Sequence, residues 1–243
     1  VFEEFSRKVQ PAIRVFAGYD PTLNGSIVSE FAHAVYRFGH SMLTESVDRV
    51  NADGSRNDMR LLDAFLNPQA FNDGGSAGQL NAAQAVGSIV RGMSEQVGNE
   101  LDEFVTGALR NSLLGLPLDL ATLNLVRGRD TGTPSLNDAR QAFSAVDPAL
   151  APYGSWAEFA LELRHPGSIV NFIAAYGNHP TITGAATVAG KRAAAQALVD
   201  AANALEPSAV AFMTSNATGI NDVDLWSGGL AEKQTPFGGL LGT

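Results

Sequence analysis

The 243 residues carry 16 Lys and Arg against 25 Asp and Glu, a formal net charge of -9, and contain no cysteine. Disulfides, thiolate metal sites and a thiol nucleophile are thereby excluded, and scattered cations on an acidic chain leave no clustered basic footprint for nucleic acid. Hydrophobic residues make up 45% of the chain, ordinary for a globular fold, and no apolar run reaches the roughly 18 residues of a transmembrane segment.

In chain order the pattern is mainly helical, with long Gly/Asn/Asp/Pro loops and no convincing strand alternation. "VFEEFSRKVQ" lacks the basic and apolar regions of a signal peptide and does not begin with methionine, so a piece of a longer polypeptide is expected. Ile27, Phe31, Val35, Phe38 and Met42 recur at helical spacing, which predicts one helix over about residues 27–49 with Ser26 as N-cap. A short helix in "RLLDAFLNPQAF" should stop at Pro68. One or two helices follow over Leu80–Leu114, with Ala82, Val86, Ile89 and Val90 apolar. "DLATLNLVRGRDTG" predicts a helix ending at Gly132, and Ser135 with Asp138 makes a capping-box-like restart. "SWAEFALEL", "GSIVNFIAAYG" and the alanine-rich "AGKRAAAQALVDAANAL" read as helices. Residues 206–222 read as an irregular insertion, and "LWSGGLAEKQTPFGGLLGT" as glycine-rich loop. No linker divides the chain.

Chemistry concentrates in two places. On a continuous helix, His40 in "YRFGHSML" shares a face with Arg37, Tyr36 and His33. His33 and His40 would lie about 10.5 Å apart along the axis, too far to share one metal. A single imidazole facing a planar cofactor remains, with Gly39 permitting close approach, beside the plainer reading of a hydrogen-bonded or surface histidine. In "LNLVRGRD", Asn124 and Arg127 stand at i and i+3. An amide there can fix an imidazole and an arginine can clamp a carboxylate, although a solvated helix end has the same residues. "GGSAG" at 74–78 matches a nucleophile elbow only in letters, because no strand precedes Ser76. His165 and His179 each precede proline and read as loop residues.

Taken together, "GYDPTLNGSIVSEFAHAVYRFGHSML", "LPLDLATLNLVRGRDTGTPSLNDAR" and "VDLWSGGLAEKQTPFGGLLG" resemble, in order, three segments of the animal-type heme peroxidases, especially large bacterial members. The resemblance spans nearly the whole chain. It implies the helical heme-peroxidase fold, truncated at both ends, with residues 1–243 forming the proximal half of a catalytic domain. His40 is similar to the proximal ligand of heme iron, Asn124 to the residue accepting a hydrogen bond from its other ring nitrogen, and Arg37 and Arg127 to the arginines on heme propionates. Arg129, Asp130 and Pro134 match the motif as loop-holding residues, while Leu136 stands where tyrosine is frequent.

The implied activity is reduction of hydrogen peroxide coupled to oxidation of halides or organic donors, with heme b as cofactor and the rest of the parent chain as partner. No catalytic distal residue is assignable, since Glu3, Glu4 and Arg7 do not fit that pattern. An extracellular setting is implied by the family alone. Two other functions stay open: a fatty-acid dioxygenase of the same superfamily, and a non-catalytic heme-binding or adhesive domain.

Overall fold

The structure is a computed structural model that describes residues 7–8, 15–111, 113, 116–145 and 147–233. Glu3, Glu4 and the terminal "GGLLG" loop lie outside the described residues. The chain groups into two compact units, Ser29–Thr133 and a second unit that includes Pro134 onward.

In the first unit the expected 27–49 helix is broken into α1 (Ser29–His33), a 3-10 turn (Val35–Phe38) and α2 (Gly39–Met42). Ala34, at φ -121° and ψ -70°, interrupts it. Ser26 is not its cap; the Ser26 amide instead donates to Asn24 Oδ1. The physical reason for the break is that helical stability comes mainly from a packed face. The apolar stripe has none here, since Phe31, Val35, Phe38 and Met42 are all more than two-fifths exposed, and Val35, Tyr36, Phe38 and Gly39 are weak helix formers.

The chain then pairs β1 (Ser46–Val47) with β2 (Met59–Arg60), antiparallel, in the register Ser46 to Arg60 and Val47 to Met59. Arg49, fully buried in the intervening loop, donates through Nη2 to the carbonyls of Phe71 and Asp73 at 2.9 and 2.8 Å. It thereby satisfies backbone oxygens that a loop fold would otherwise strand. After α3 (Leu61–Ala64) the chain turns through Leu66, at φ +56°. Pro68 therefore does not stop that helix; it opens a 3-10 turn over Pro68–Asn72.

Helix α4 (Ala82–Glu95) begins with a complete capping box between Asn81 and Gln84. Its buried face is not the predicted apolar one: Ala85, Ser88 and Gly92 are buried, whereas Val86 and Val90 are about 60% exposed. Small residues face inward because α4 lies directly on backbone; a β-carbon at Gly92 would overlap the Asp48 carbonyl and Arg49 Cα. The unit closes with α5 (Gly107–Asn111) and α6 (Leu120–Asp130).

The second unit holds the larger apolar core. α7 (Leu136–Phe143) starts at Ser135, whose hydroxyl accepts from the Asp138 amide as expected. α8 (Trp156–Glu162), α9 (Ile169–Tyr176), the single turn α10 (Pro180–Thr183) and α11 (Val188–Asn203) follow. Two further helices correct the loop expectations: α12 (Pro207–Thr214) inside the presumed insertion, and α13 (Leu225–Ala231) where glycine-rich loop was expected. Proline at the first helical position suits α12. The glycines of α13 are tolerated because one of them is a packing requirement: a β-carbon at Gly228 would meet Leu136 and Val223. Trp156 and Phe159 are fully buried, Phe159 meets Phe172 edge-on at 5.1 Å, and Trp156 Nε1 donates to the Thr218 carbonyl at 3.0 Å.

Tyr176, on α9, donates its hydroxyl to Asp224 Oδ2 at 2.7 Å, and burial pushes its pKa up from 10.0 to about 12. The folded state thus prefers the neutral phenol. The associated stability is present below pH 10 and is lost as pH rises from 10 toward 12, by up to about 3 kcal/mol for the wild type. Urea midpoints measured across that interval should fall by less in Tyr176→Phe; equal falls would contradict the assignment.

Candidate functional site

Helix α6 is where the second sequence motif becomes geometry. Asp119 caps its start by accepting from the Ala121 and Thr122 amides. At its end the Thr131 and Gly132 amides turn back to the carbonyls of Arg127 and Arg129, with Gly132 at φ +72° where a residue with a β-carbon would be strained. Asn124 and Gly128, one turn apart, are its buried residues, and Asn124 is only 1% exposed. Ser29 Oγ reaches the Thr131 carbonyl at 3.4 Å, which joins the start of α1 to the end of α6.

Asn124 meets the first motif through both ends of its amide. Its Nδ2 lies 2.8 Å from His40 Nδ1, and its Oδ1 accepts from Arg37 Nη1 at 3.1 Å. An amide nitrogen can only donate, so His40 Nδ1 is the acceptor. The pairing anticipated from sequence is present, with the amide nitrogen rather than the oxygen turned to the ring. Arg37 is held by a second bond, Nε to the Ala32 carbonyl at 3.2 Å. The 3-10 turn permits this, because its tighter winding brings Arg37 back over the end of α1.

Burial holds the His40 pKa below its usual value, and the neighbouring Arg37 guanidinium adds to the effect. The ring is therefore a neutral imidazole around neutral pH, as metal ligation requires. Among the described residues, His40 Nε2 makes no hydrogen bond. A β-carbon at Gly39 would meet no atom within 4 Å apart from its chain neighbours. Its apolar sequence neighbours Phe38, Met42 and Leu43 are 46%, 41% and 39% exposed. A neutral imidazole anchored through Nδ1, with no hydrogen bond at Nε2 among the described residues, is chemically suited to hold a metal cofactor.

Three of the four sequence candidates, His40, Asn124 and Arg37, are thus in one hydrogen-bonded chain. Arg127 is on the next turn of α6 from Asn124, exposed, and its side chain has no hydrogen bond or ion pair among the described residues. His33 leaves the group, because the break at Ala34 removes the seven-residue face that related it to His40, and its buried Nδ1 has no partner among the described residues. Ser76 stands in a 3-10 turn over Gly75–Ala77 with no strand leading into it. His165 and His179 are extended before their prolines as expected, and His179 Nδ1 caps α10 by accepting from the Thr181 amide. The Ala32 carbonyl and the Ser29 to Thr131 link escaped the sequence reading, since a backbone acceptor carries no side-chain signature.

The family described as animal haem peroxidase matches residues 2–183. Peroxinectin A of Dictyostelium discoideum is 28% identical over 162 residues, covering 65% of this chain and 28% of that protein. Thyroid peroxidase of Rattus norvegicus is 34% identical over 140 residues, covering 52% of this chain and 14% of that protein. The solved structure of peroxidase A from Dictyostelium discoideum superposes with a TM-score of 0.62 at 21% identity, over 97% of this chain and 36% of that one. The chain therefore spans about a third or less of the length of these relatives. Its mainly helical architecture is the peroxidase fold, and on the family match over most of its length the chain belongs to the animal haem peroxidases.

Proposed function

We propose that the chain forms the proximal part of a heme-dependent peroxidase that reduces hydrogen peroxide and oxidises a halide or small organic donor. The observation that carries this reading is the His40, Asn124 and Arg37 chain, built from residues more than eighty positions apart in a member of this family. Bound heme b supplies the iron at which peroxide is reduced. His40 would hold that iron through its imidazole. Asn124 fixes the ring plane through Nδ1, and as a neutral amide it draws less negative charge onto the imidazole than a carboxylate would. Arg37 and Arg127 offer guanidinium groups to the propionate carboxylates, for which their planar fork is well matched. The proton-handling residues on the peroxide side belong, in this reading, to parts of the parent chain outside these 243 residues. An extracellular setting belongs to the same proposal.

The test uses the heme-loaded parent protein. Peroxide-dependent oxidation of guaiacol or halide is expected, with His40→Ala lowering turnover at least about 100-fold. Oxygenation of an unsaturated fatty acid in place of donor oxidation, or no turnover by the wild type, would overturn it.

A further inference from the structure

Helix α4 turns its large apolar residues away from the unit that it packs on. Ala85, Ser88 and Gly92 face inward, whereas Val86, Val90 and Met93, at i, i+4 and i+7, form an outward stripe and are 59%, 64% and 53% exposed. Beside the stripe, α4 and the segment after α3 border an open groove of about 380 Å³, whose walls include Ala64, Leu66, Phe71, Val86 and Ile89. None of its described lining residues is charged. Leu66 stands at this groove with φ +56° and 78% of its surface exposed. A left-handed backbone is unfavourable for a residue with a β-carbon, and burial of the leucine side chain does not offset it here.

We propose that the groove and stripe seat an apolar segment of the parent polypeptide from outside these 243 residues, its large side chains entering beside Leu66 and lying along Val86, Val90 and Met93. The inference rests on the reading of the chain as part of a larger protein. Three observations choose that occupant. The chain spans 36% of the solved relative whose fold it shares, so most of that fold lies outside the matched region. An uncharged groove continuous with an apolar stripe has the composition of a core divided in two, the mark of a permanent interface, whereas surfaces for transient partners are no more apolar than the rest of a protein. Charge disfavours the other occupants. A membrane surface calls for Lys and Arg beside the apolar residues, and the groove has neither. A second copy of a chain with net charge -9 would bring like charge to like charge.

The test uses the parent protein, and the absence of cysteine from these 243 residues lets a single thiol be placed on the stripe. Maleimide labelling of Val90→Cys is followed on its own peptide by mass spectrometry, in native buffer and in urea. The native rate is expected to be at least about tenfold below the unfolded rate, as for a residue reached only through local opening. A smaller difference would overturn the proposal, and Met93→Cys gives the same reading if Val90→Cys fails to fold. Val90→benzoylphenylalanine then identifies the cover on irradiation. A cross-link to a peptide of the same polypeptide outside residues 1–243 supports the proposal. A cross-link between isotopically light and heavy copies, or protection that appears only with phosphatidylcholine and phosphatidylglycerol vesicles, overturns it. Guaiacol turnover by the wild-type parent separates this inference from the activity proposed above. Turnover with position 90 open overturns the docking face alone, and protection at position 90 without turnover supports the docking face while overturning the peroxidase reading.

Discussion

Asn124→Leu is expected to weaken heme retention by about 10- to 100-fold, the range found when the partner of a metal-ligating histidine is removed. Leucine keeps approximately the same volume at a position only 1% exposed and removes both polar ends of the amide. His40 Nδ1 then has no partner to fix the ring, and Arg37 Nη1 loses the acceptor it holds at 3.1 Å. Stability should fall as well, by about 2 kcal/mol, since a buried polar group left without its partner costs about 1 to 3 kcal/mol. The first effect is checked by the rate of heme transfer to a scavenging apoglobin, the second by urea denaturation of the heme-free chain. Unchanged transfer with a lowered urea midpoint would mean that Asn124 serves the fold and not the ligand.

Gly219→Ala should cost about 3 kcal/mol or more without touching that cluster. Gly219 adopts φ +100°, and a β-carbon there would overlap the Tyr176 carbonyl. Left-handed backbone costs a non-glycine residue roughly 1–2 kcal/mol, and forced overpacking adds about 1–3 kcal/mol. Relief is blocked, because the neighbouring Thr218 carbonyl is tied to Trp156 Nε1 and to the Asn178 amide. Gly229→Ala is the contrasting case. Its added methyl meets nothing within 4 Å and lies within α13, so a small gain of roughly 0.5–1 kcal/mol is expected. Denaturant midpoints of the two variants should move in opposite directions, and equal shifts would contradict this account of the turn.

The elements legible in the sequence were those where local signals agree. Helix α6 has a good cap at Asp119, a helical interior and Gly132 beyond its end, and its limits were read nearly correctly. The 27–49 segment was misread because periodicity alone suggested a helix, whereas continuity depends on packing that Phe31, Val35 and Phe38 do not have. The inward face of α4 was misread because closeness to the Asp48 backbone selects small residues over large apolar ones. α13 was hidden by glycine content that only the contact of Gly228 with Leu136 explains. At the candidate site, His40 and Asn124 were each ambiguous from their own neighbours. The link between them became legible only when three motifs were considered together, since 84 residues separate the pair. The contact of Asn124 with Arg37 was not legible at all, because the guanidinium arrives through a 3-10 turn in place of the expected helix.

The central claim is that His40 is the axial ligand, and a cavity variant tests it most directly. Visible absorption is recorded while hemin is titrated into the wild-type chain and into His40→Gly, with and without free imidazole. We expect a histidine-ligated Soret spectrum in the wild type, its loss in His40→Gly, and its return when imidazole occupies the vacated space. A His40→Gly spectrum identical to wild type without imidazole would contradict the account, leaving His40 as a structural residue held by Asn124.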